Sequence, residues 1–236
     1  MTDSPRTRDP GAVSIALDAL RQMIVTGDIP PGTELSQVKL AETIGVSTTP
    51  LREALSRLEA EGLVEARRNR RPRVPPFDPE DLDSVYCHRV LLESLAISLT
   101  VPQMTDDDIA ALGADLRTMR GAKTAPAWDG AHASFHLGLV ARCSPPLRSQ
   151  IAGFMARGDR YRRMSVRGDD PAGRRTGDLE HEAILEACAE RDAREAALLL
   201  ARHLTRSALT LMAHLAPDTD PVSVRSALQM VMGGAD

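Results

Sequence analysis

Two short amphipathic segments that follow one another across a glycine turn place the strongest constraint on the fold. The first spans residues 37–44, and the second runs from Ser47 to Gly62. Only Gly45 and Val46 lie between them, which leaves room for a tight turn. Two helices joined in this way predict a helix-turn-helix, a motif that places its second helix in the major groove of DNA.

A basic segment follows the second helix. Residues 63–76 contain five arginines and a single acid, in a chain whose net charge is −4. The stretches 63–66 and 73–74 flank the basic residues and predict a small β-hairpin with a basic tip, the wing of a winged helix. Positive charge concentrated at one point predicts docking of a polyanion. The wing arginines are Arg67, Arg68, Arg70, Arg71 and Arg73.

The remainder of the chain is predicted to be helical. Helical periodicity recurs near 79–100, 106–121, 128–142, 146–166, 179–190 and 192–214, with a mobile loop over 168–177. We therefore expect a mainly α fold in which a winged helix-turn-helix with a small β wing precedes an all-α helical bundle. The expected parts are a flexible tail over 1–11, the DNA-binding domain over 12–76 and the effector and dimerisation domain over 77–236.

Composition argues against several classes of protein. Aromatic residues make up 3% of the chain, too few for a stacking platform that binds single-stranded nucleic acid. The three cysteines include no C-x-x-C pair and are expected to be free thiols in a reducing compartment. The sequence contains neither a signal peptide nor an uncharged apolar run that could span a membrane, so we expect a soluble, cytoplasmic protein.

Four histidines have positions that predict a metal site. His132 and His136 are four residues apart on one predicted helix and share a face, whereas His181 and His203 each lie on a helix of their own. Three inward-facing helices that carry four imidazoles can enclose one cation. Asp129, one turn before His132, is a candidate acceptor behind the ligands or a substitute ligand. The alternative is that these are ordinary core histidines.

The first third of the chain follows a single pattern without a gap, in the stretches 27–35, 40–42, 45–55 and 58–64. This pattern strongly resembles the GntR family of winged-helix transcriptional regulators. The family usually has arginine where this chain has Thr48, often arginine where it has Val38, and usually glycine where it has Arg71. The resemblance therefore implies a double-stranded operator that differs from the family's usual one.

The first turn of the second helix is expected to meet the bases. That turn contains Ser47, Thr48, Thr49 and Arg52. Hydroxyls bond to phosphates or bases, and Arg52 can form two hydrogen bonds to a guanine. The wing arginines are expected to bind phosphates. The alternative is a protein-binding winged helix whose arginines are only solvated.

The histidine spacing, together with Phe135-His136 and Arg89-x-x-x-Glu93, resembles the FCD effector domain of the FadR-type GntR subfamily. The resemblance implies a divalent metal under a small-molecule pocket, with His136, His181 and His203 as ligands and His132 at a position where the family usually has aspartate. An all-imidazole set favours zinc or nickel. The resemblance to the FCD domain also implies that Arg89 binds an organic-acid effector. Arg89 could equally be a surface or salt-bridge residue.

Two other functions compete with a regulator that binds an operator as a homodimer. A metalloenzyme would need an open metal position and a general base, but the sequence has no H-E-x-x-H, and Glu180 and Glu182 flank His181 at helix positions that point elsewhere. A protein-interaction adaptor would not need the basic wing. We therefore expect a repressor and not an enzyme.

Overall fold

The computed structural model describes residues 10–66, 70–165 and 171–233, most of which are helical. The expectation of a mainly α fold is confirmed. Contacts divide the chain into two units, Met1–Phe77 and Asp78–Asp236. Among the described residues, no helix has the length and apolar character needed to cross a lipid bilayer.

Three helices form the N-terminal unit: α1 (Pro10–Thr26), α2 (Gln37–Ile44) and α3 (Thr48–Ala60). α2 ends where Gly45 adopts the left-handed conformation, with φ 79° and ψ 30°, and its N–H donates to the carbonyl of Ala41 over 2.9 Å. α3 follows at once and packs against α1. Its buried residues are Leu51, Ala54, Leu55 and Leu58, the apolar stripe that helical periodicity predicts.

The segment after α3 forms no regular strand in the described part of the chain. Glu65 and Arg73 exchange backbone hydrogen bonds of 2.8 and 3.0 Å, and the N–H of Leu35 donates to the carbonyl of Pro72 over 2.7 Å. These contacts are isolated bridges, where the sequence predicts a small β-hairpin. Pro72 and Pro75 have no N–H, so neither residue can donate a backbone hydrogen bond to a neighbouring strand.

The C-terminal unit is a helical bundle. Its helices are α4 (Pro79–Thr100), α5 (Asp106–Gly121), α6 (Ala125–Leu139), α7 (Pro145–Ser165), α8 (Pro171–Ala189), α9 (Ala193–Leu215) and α10 (Val222–Gly233), with a 3₁₀ turn at Val101–Gln103. α4 packs along α9, and the other helices surround this pair. Phe135, Leu139, Ile184, Leu200 and Leu204 belong to the resulting apolar core.

Two helices differ from the sequence prediction. α8 begins at Pro171, so residues 171–177 are helical where a mobile loop is expected, and residues 168–170 of that loop lie outside the described residues. Proline is compatible with the first helical turn because no N–H is needed there. The sequence predicts no helix after residue 214, yet α10 is present. The Asp83 carboxylate on α4 accepts the N–H groups of Ser223 and Val224 at 3.0 and 2.9 Å and so caps it.

Candidate metal centre and DNA-binding surface

Four histidine side chains meet in the interior of the C-terminal unit. His132 and His136 extend from α6, His181 from α8 and His203 from α9. Each offers one nitrogen, and these four atoms all lie within 4.8 Å of one another. The exposed fractions of the residues range from 0% to 7%. The structure thus brings together all four histidines that the sequence singles out.

The imidazoles of this cluster lack partners for several nitrogens. Within the described residues, no hydrogen bond reaches either ring nitrogen of His136 or of His181. Burying a polar atom without a hydrogen-bond partner costs free energy, and native proteins rarely contain such atoms. A cation removes part of this cost, because each ring donates the lone pair of one nitrogen to it. Two nitrogens on one tetrahedral zinc ion lie about 3.4 Å apart, so the rings would have to move closer together to bind one ion.

Burial keeps three of the imidazoles, those of His132, His181 and His203, in the neutral form that binds metals. It lowers the pKa of His132 and of His181 well below the ordinary value. It also lowers the pKa of His203 to about 4, although a hydrogen bond with Glu180 favours the protonated ring. All three rings therefore offer a lone pair at neutral pH.

Two carboxylates stand beside the imidazoles. Glu180 Oε2 lies 2.7 Å from His203 Nδ1, within hydrogen-bond distance. Glu93 Oε2 lies 3.6 Å from His136 Nδ1. Burial raises the pKa of both carboxyls, but basic neighbours outweigh it and lower each pKa below its ordinary value. Both groups are therefore ionised at neutral pH.

Sequence reasoning assigned neither carboxylate to the site. Glu180 is expected to point elsewhere because it is adjacent to His181, but its carboxylate reaches His203 of the same cluster on the neighbouring helix. No pattern within α8 reveals that contact. Glu93 stands four residues after Arg89, and this spacing is the one signal that could have identified it.

Asp129 is paired with arginines and is not one of the four grouped ligands. Its carboxylate pairs with Arg162 and Arg163 of α7. The Arg162 guanidinium lies 4.8 Å from the centre of the Trp128 ring, and Trp128 stacks on His132 with ring centres 4.6 Å apart. Of the two candidates that the sequence leaves open, the structure places His132 in the cluster.

Arg89, the expected effector-binding residue, is buried on α4 with 4% of its surface exposed. Its Nε donates to Glu93 Oε1 over 2.6 Å, and its guanidinium lies 5.1 Å from the centre of the Tyr86 ring. Gly158 on α7 provides space for this side chain, since a Cβ there would lie 2.9 Å from Arg89 Nη1. Arg89 is thus a salt-bridge residue. Among the described residues, Glu93 is its one hydrogen-bond acceptor, and that bond uses Nε. The N–H groups of Nη1 and Nη2 therefore remain available to a ligand.

Exposed side chains at the start of α3 form the candidate DNA-binding surface. Ser47, Thr48, Thr49 and Arg52 are all exposed, as a surface that meets DNA requires. Ser47 occupies the N-cap position without a capping hydrogen bond from its hydroxyl. Arg52 Nε donates to Gln37 Oε1 over 3.0 Å, which holds the guanidinium near the start of α2. Hydroxyl and guanidinium groups are suited to phosphates and base edges.

The structure describes part of the predicted arginine cluster. Arg70 and Arg71 are exposed. Arg73 is half-buried, and its Nε lies 2.8 Å from Glu65 Oε2, so its charge is already paired. Arg67 and Arg68 lie outside the described residues.

Comparison with known proteins assigns a family to each unit. Residues 14–74 match the gntR family of bacterial regulatory proteins, and residues 84–206 match the FCD domain. The chain belongs to the GntR family and carries an FCD domain. An HTH-type transcriptional regulator in an intergenic region of Agrobacterium vitis is 33% identical to this GntR protein over 139 residues, which is 56% of this chain and 80% of the relative.

Other relatives match the GntR protein along most of its length. The HTH-type transcriptional repressor GlaR of Escherichia coli K12 is 27% identical over 198 residues, covering 78% of this chain and 89% of GlaR. The solved structure of E. coli McbR/YncC has a TM-score of 0.76 at 25% identity and covers 85% of this chain and 96% of its own. The chain is a DNA-binding transcriptional regulator with an FCD effector domain, and the expectation that it is not an enzyme is confirmed.

Proposed function

We propose that this regulator is a repressor that binds operator DNA as a homodimer and responds to a small organic acid held beside a divalent metal in its FCD domain. The observation that carries the proposal is the cluster of four buried imidazoles, in which both ring nitrogens of His136 and of His181 have no partner within the described residues. A cation bound by four lone pairs accounts for the convergence of the rings and for one of the two missing partners on each of His136 and His181.

The ligand set favours zinc or nickel. His132, His136, His181 and His203 supply nitrogen alone, and none of the grouped ligands is a carboxylate. Imidazole suits zinc, copper, iron and nickel, whereas magnesium and manganese prefer oxygen ligands. When bound, the ion would supply a positive centre that binds an oxygen of the effector.

The charges around the cluster favour an anionic effector. Among the described residues near the histidines, arginines pair with carboxylates, so their charges largely cancel. The arginines are Arg89, Arg162, Arg163 and Arg206, and the carboxylates are Glu93, Asp129, Asp159 and Glu180. A divalent ion on four neutral imidazoles adds two positive charges to a buried site, where a counter-charge is needed. A carboxylate supplies it and can accept hydrogen bonds from Arg89.

Operator recognition is proposed for the exposed start of α3 and for the wing arginines. The proposed contacts are Ser47, Thr48, Thr49, Arg52, Arg67, Arg68, Arg70, Arg71 and Arg73. A single guanidinium on the helix face, on Arg52, supports direct pairing with one guanine in each half-site. The hydroxyls and the wing supply phosphate contacts, which orient the protein without reading sequence.

A second copy of the chain completes the proposed regulator. Two helix-turn-helix units one helical turn of DNA apart fit a palindromic operator. Leu95 and Leu99 lie one turn apart on α4 and are 51% and 48% exposed, which supports an apolar contact between two FCD domains. The name of the relative GlaR supports repression as the direction of control.

Fluorescence anisotropy with the chain's own upstream DNA tests the proposal. We expect zinc-loaded protein to bind this DNA and one member of a panel of organic acids to weaken the binding. We expect the His136→Ala/His181→Ala variant to bind the DNA without responding to the acid. An acid response that persists in that variant would separate the effector from the histidine cluster, and a lack of DNA binding by the wild type would refute the repressor.

A further inference from the structure

Two of the four imidazoles have a carboxylate next to the same ring nitrogen, Nδ1. His203 Nδ1 lies 2.7 Å from Glu180 Oε2, and His136 Nδ1 lies 3.6 Å from Glu93 Oε2. Across the described ranges, no such carboxylate contact is found for His181, whose two nitrogens are both unpaired.

We propose that Glu93 and Glu180 are positioning residues of the metal site, which hold His136 and His203 as the tautomers that carry a proton on Nδ1 and present Nε2 to the ion. This inference rests on the proposed metal-dependent function. Neither carboxylate is itself one of the grouped ligands.

The chemistry of imidazole explains why the position of the carboxylate matters. A neutral ring carries its single N–H on one nitrogen and its lone pair on the other. A carboxylate beside Nδ1 accepts that N–H, which fixes the lone pair on Nε2 and directs it to the metal.

Glu93 and His136 are close but do not form a hydrogen bond. The 3.6 Å separation is longer than a hydrogen bond, and both Glu93 Oε2 and His136 Nδ1 are buried without a partner. A small rotation of the His136 ring would pair these two atoms and leave Nε2 for the cation. Rotation of the His136 ring would therefore give both Glu93 Oε2 and His136 Nδ1 a hydrogen-bond partner.

Arginines hold both carboxylates in place. Arg89 Nε donates to Glu93 Oε1 over 2.6 Å, while Arg206 donates to both oxygens of Glu180. Each carboxylate is therefore a charged acceptor with a fixed orientation, which is what a ligand ring needs from a neighbour that orients it. His181 has no such neighbour and must be oriented by packing, including Phe135, whose ring centre lies 5.3 Å away.

The tautomers can be measured directly in the wild-type protein. Long-range ¹H–¹⁵N spectra of zinc-loaded protein labelled at histidine distinguish a protonated nitrogen from a metal-bound one. We expect His136 and His203 to show a protonated Nδ1 and a zinc-bound Nε2. A spectrum in which zinc is bound to Nδ1 of both rings overturns the proposal.

A competition titration with a chromophoric zinc chelator gives the second test. We expect Glu93→Gln and Glu180→Gln to weaken zinc binding by roughly 10–100-fold, because the amide keeps the shape of the side chain and loses its charge. Glu182→Gln is the matched control, since Glu182 also flanks His181 on α8 but pairs with Arg120, and we expect it to retain wild-type affinity. Wild-type affinity in both Glu93→Gln and Glu180→Gln overturns the proposal.

The zinc-binding measurements distinguish failure of the proposed function from failure of the proposed role of the carboxylates. If the wild type binds no zinc or nickel, the proposed function fails; if it binds zinc and both variants bind equally well, only the role of the carboxylates fails. Thermal unfolding of each metal-free variant checks that it folds. Should Glu93→Gln not fold, Glu180→Gln and the wild-type spectrum decide, because Glu180 is only half-buried.

Discussion

The two units of this regulator place their proposed functional side chains in opposite environments. On α3, the residues proposed to meet DNA, such as Thr48 and Arg52, are exposed. In the FCD domain, the residues proposed to bind metal, such as His136 and His181, are buried and lack partners in the described part of the chain. The comparison shows that the two kinds of site are identified by different evidence. An exposed site is identified by the chemistry of its side chains, whereas a buried site is identified by polar atoms that have no hydrogen-bond partner within the protein.

This difference determines how each site responds to change. An exposed side chain can be removed with little effect on folding, so a substitution on α3 should alter DNA binding alone. A buried polar group takes part in packing and in binding, so a change near the histidines should alter both stability and ligand affinity.

The largest expected effect is metal-dependent stability. Zinc at about 1,000 times its Kd should raise the free energy of unfolding by ~4 kcal/mol. For a chain of this size that corresponds to an increase in Tm of about 10 °C in a thermal unfolding experiment. His136→Ala/His181→Ala should abolish the increase, while His214→Ala, an exposed histidine outside the cluster, should preserve it. An equal increase in the double variant would place the stabilising metal elsewhere.

A second prediction concerns the space beside Arg89. In Gly158→Ala the new Cβ would lie 2.9 Å from Arg89 Nη1, so the side chain must shift. Relative to Gly153→Ala, which has the same gain in helix propensity, we expect a loss of about 1–3 kcal/mol in the free energy of unfolding, measured with urea, and weaker binding of the organic acid. Gly153→Ala on the same helix is the control, because a Cβ there has no neighbour within 4 Å. If both variants unfold alike, the space at Gly158 has no special role.

The third prediction concerns Arg52 on the exposed start of α3. Arg52→Ala should weaken operator binding by ~1–3 kcal/mol, since a guanidinium paired with guanine contributes about that much discrimination. Its thermal stability should match that of the wild type. Arg57→Ala, on the same helix but paired with Glu53, is the control, and an anisotropy titration measures both. Equal binding by Arg52→Ala and the wild type would require another recognition surface.

The smallest effect is expected at the wing. Arg70 is exposed, and Arg70→Ala should lower the slope of log K against log salt by about 0.9 if the residue neutralises one phosphate. Affinity for operator and unrelated DNA should fall by the same factor. Arg225→Ala, an exposed arginine of the other unit that pairs with Asp220, should leave the slope unchanged. A change confined to operator DNA would show that Arg70 reads bases.

Local patterns predicted the parts of the structure that depend on one helix. The stripe from Leu51 to Leu58 follows from periodicity, and the shared face of His132 and His136 follows from their spacing. The convergence of His181 and His203 on that face was a hypothesis from their positions that the resemblance to the FCD domain supported, because sequence separation does not fix the positions of helices in a bundle.

Other features depend on partners distant in sequence. α10 is capped by Asp83, 140 residues before Ser223, a contact that no local pattern reveals. The contact of Glu180 with His203 likewise crosses from α8 to α9. The pairing of Glu65 with Arg73 is an isolated bridge among the described residues, and Arg67 and Arg68 of the predicted hairpin lie outside them.

Metal content tests the central claim most directly. Protein loaded with zinc and dialysed free of excess metal is analysed by inductively coupled plasma mass spectrometry, beside the His136→Ala/His181→Ala variant prepared in the same way. The four-histidine cluster predicts about one zinc ion per wild-type chain and almost none in the variant. Equal zinc content in the two proteins, or none in the wild type, would contradict a metal centre at these histidines.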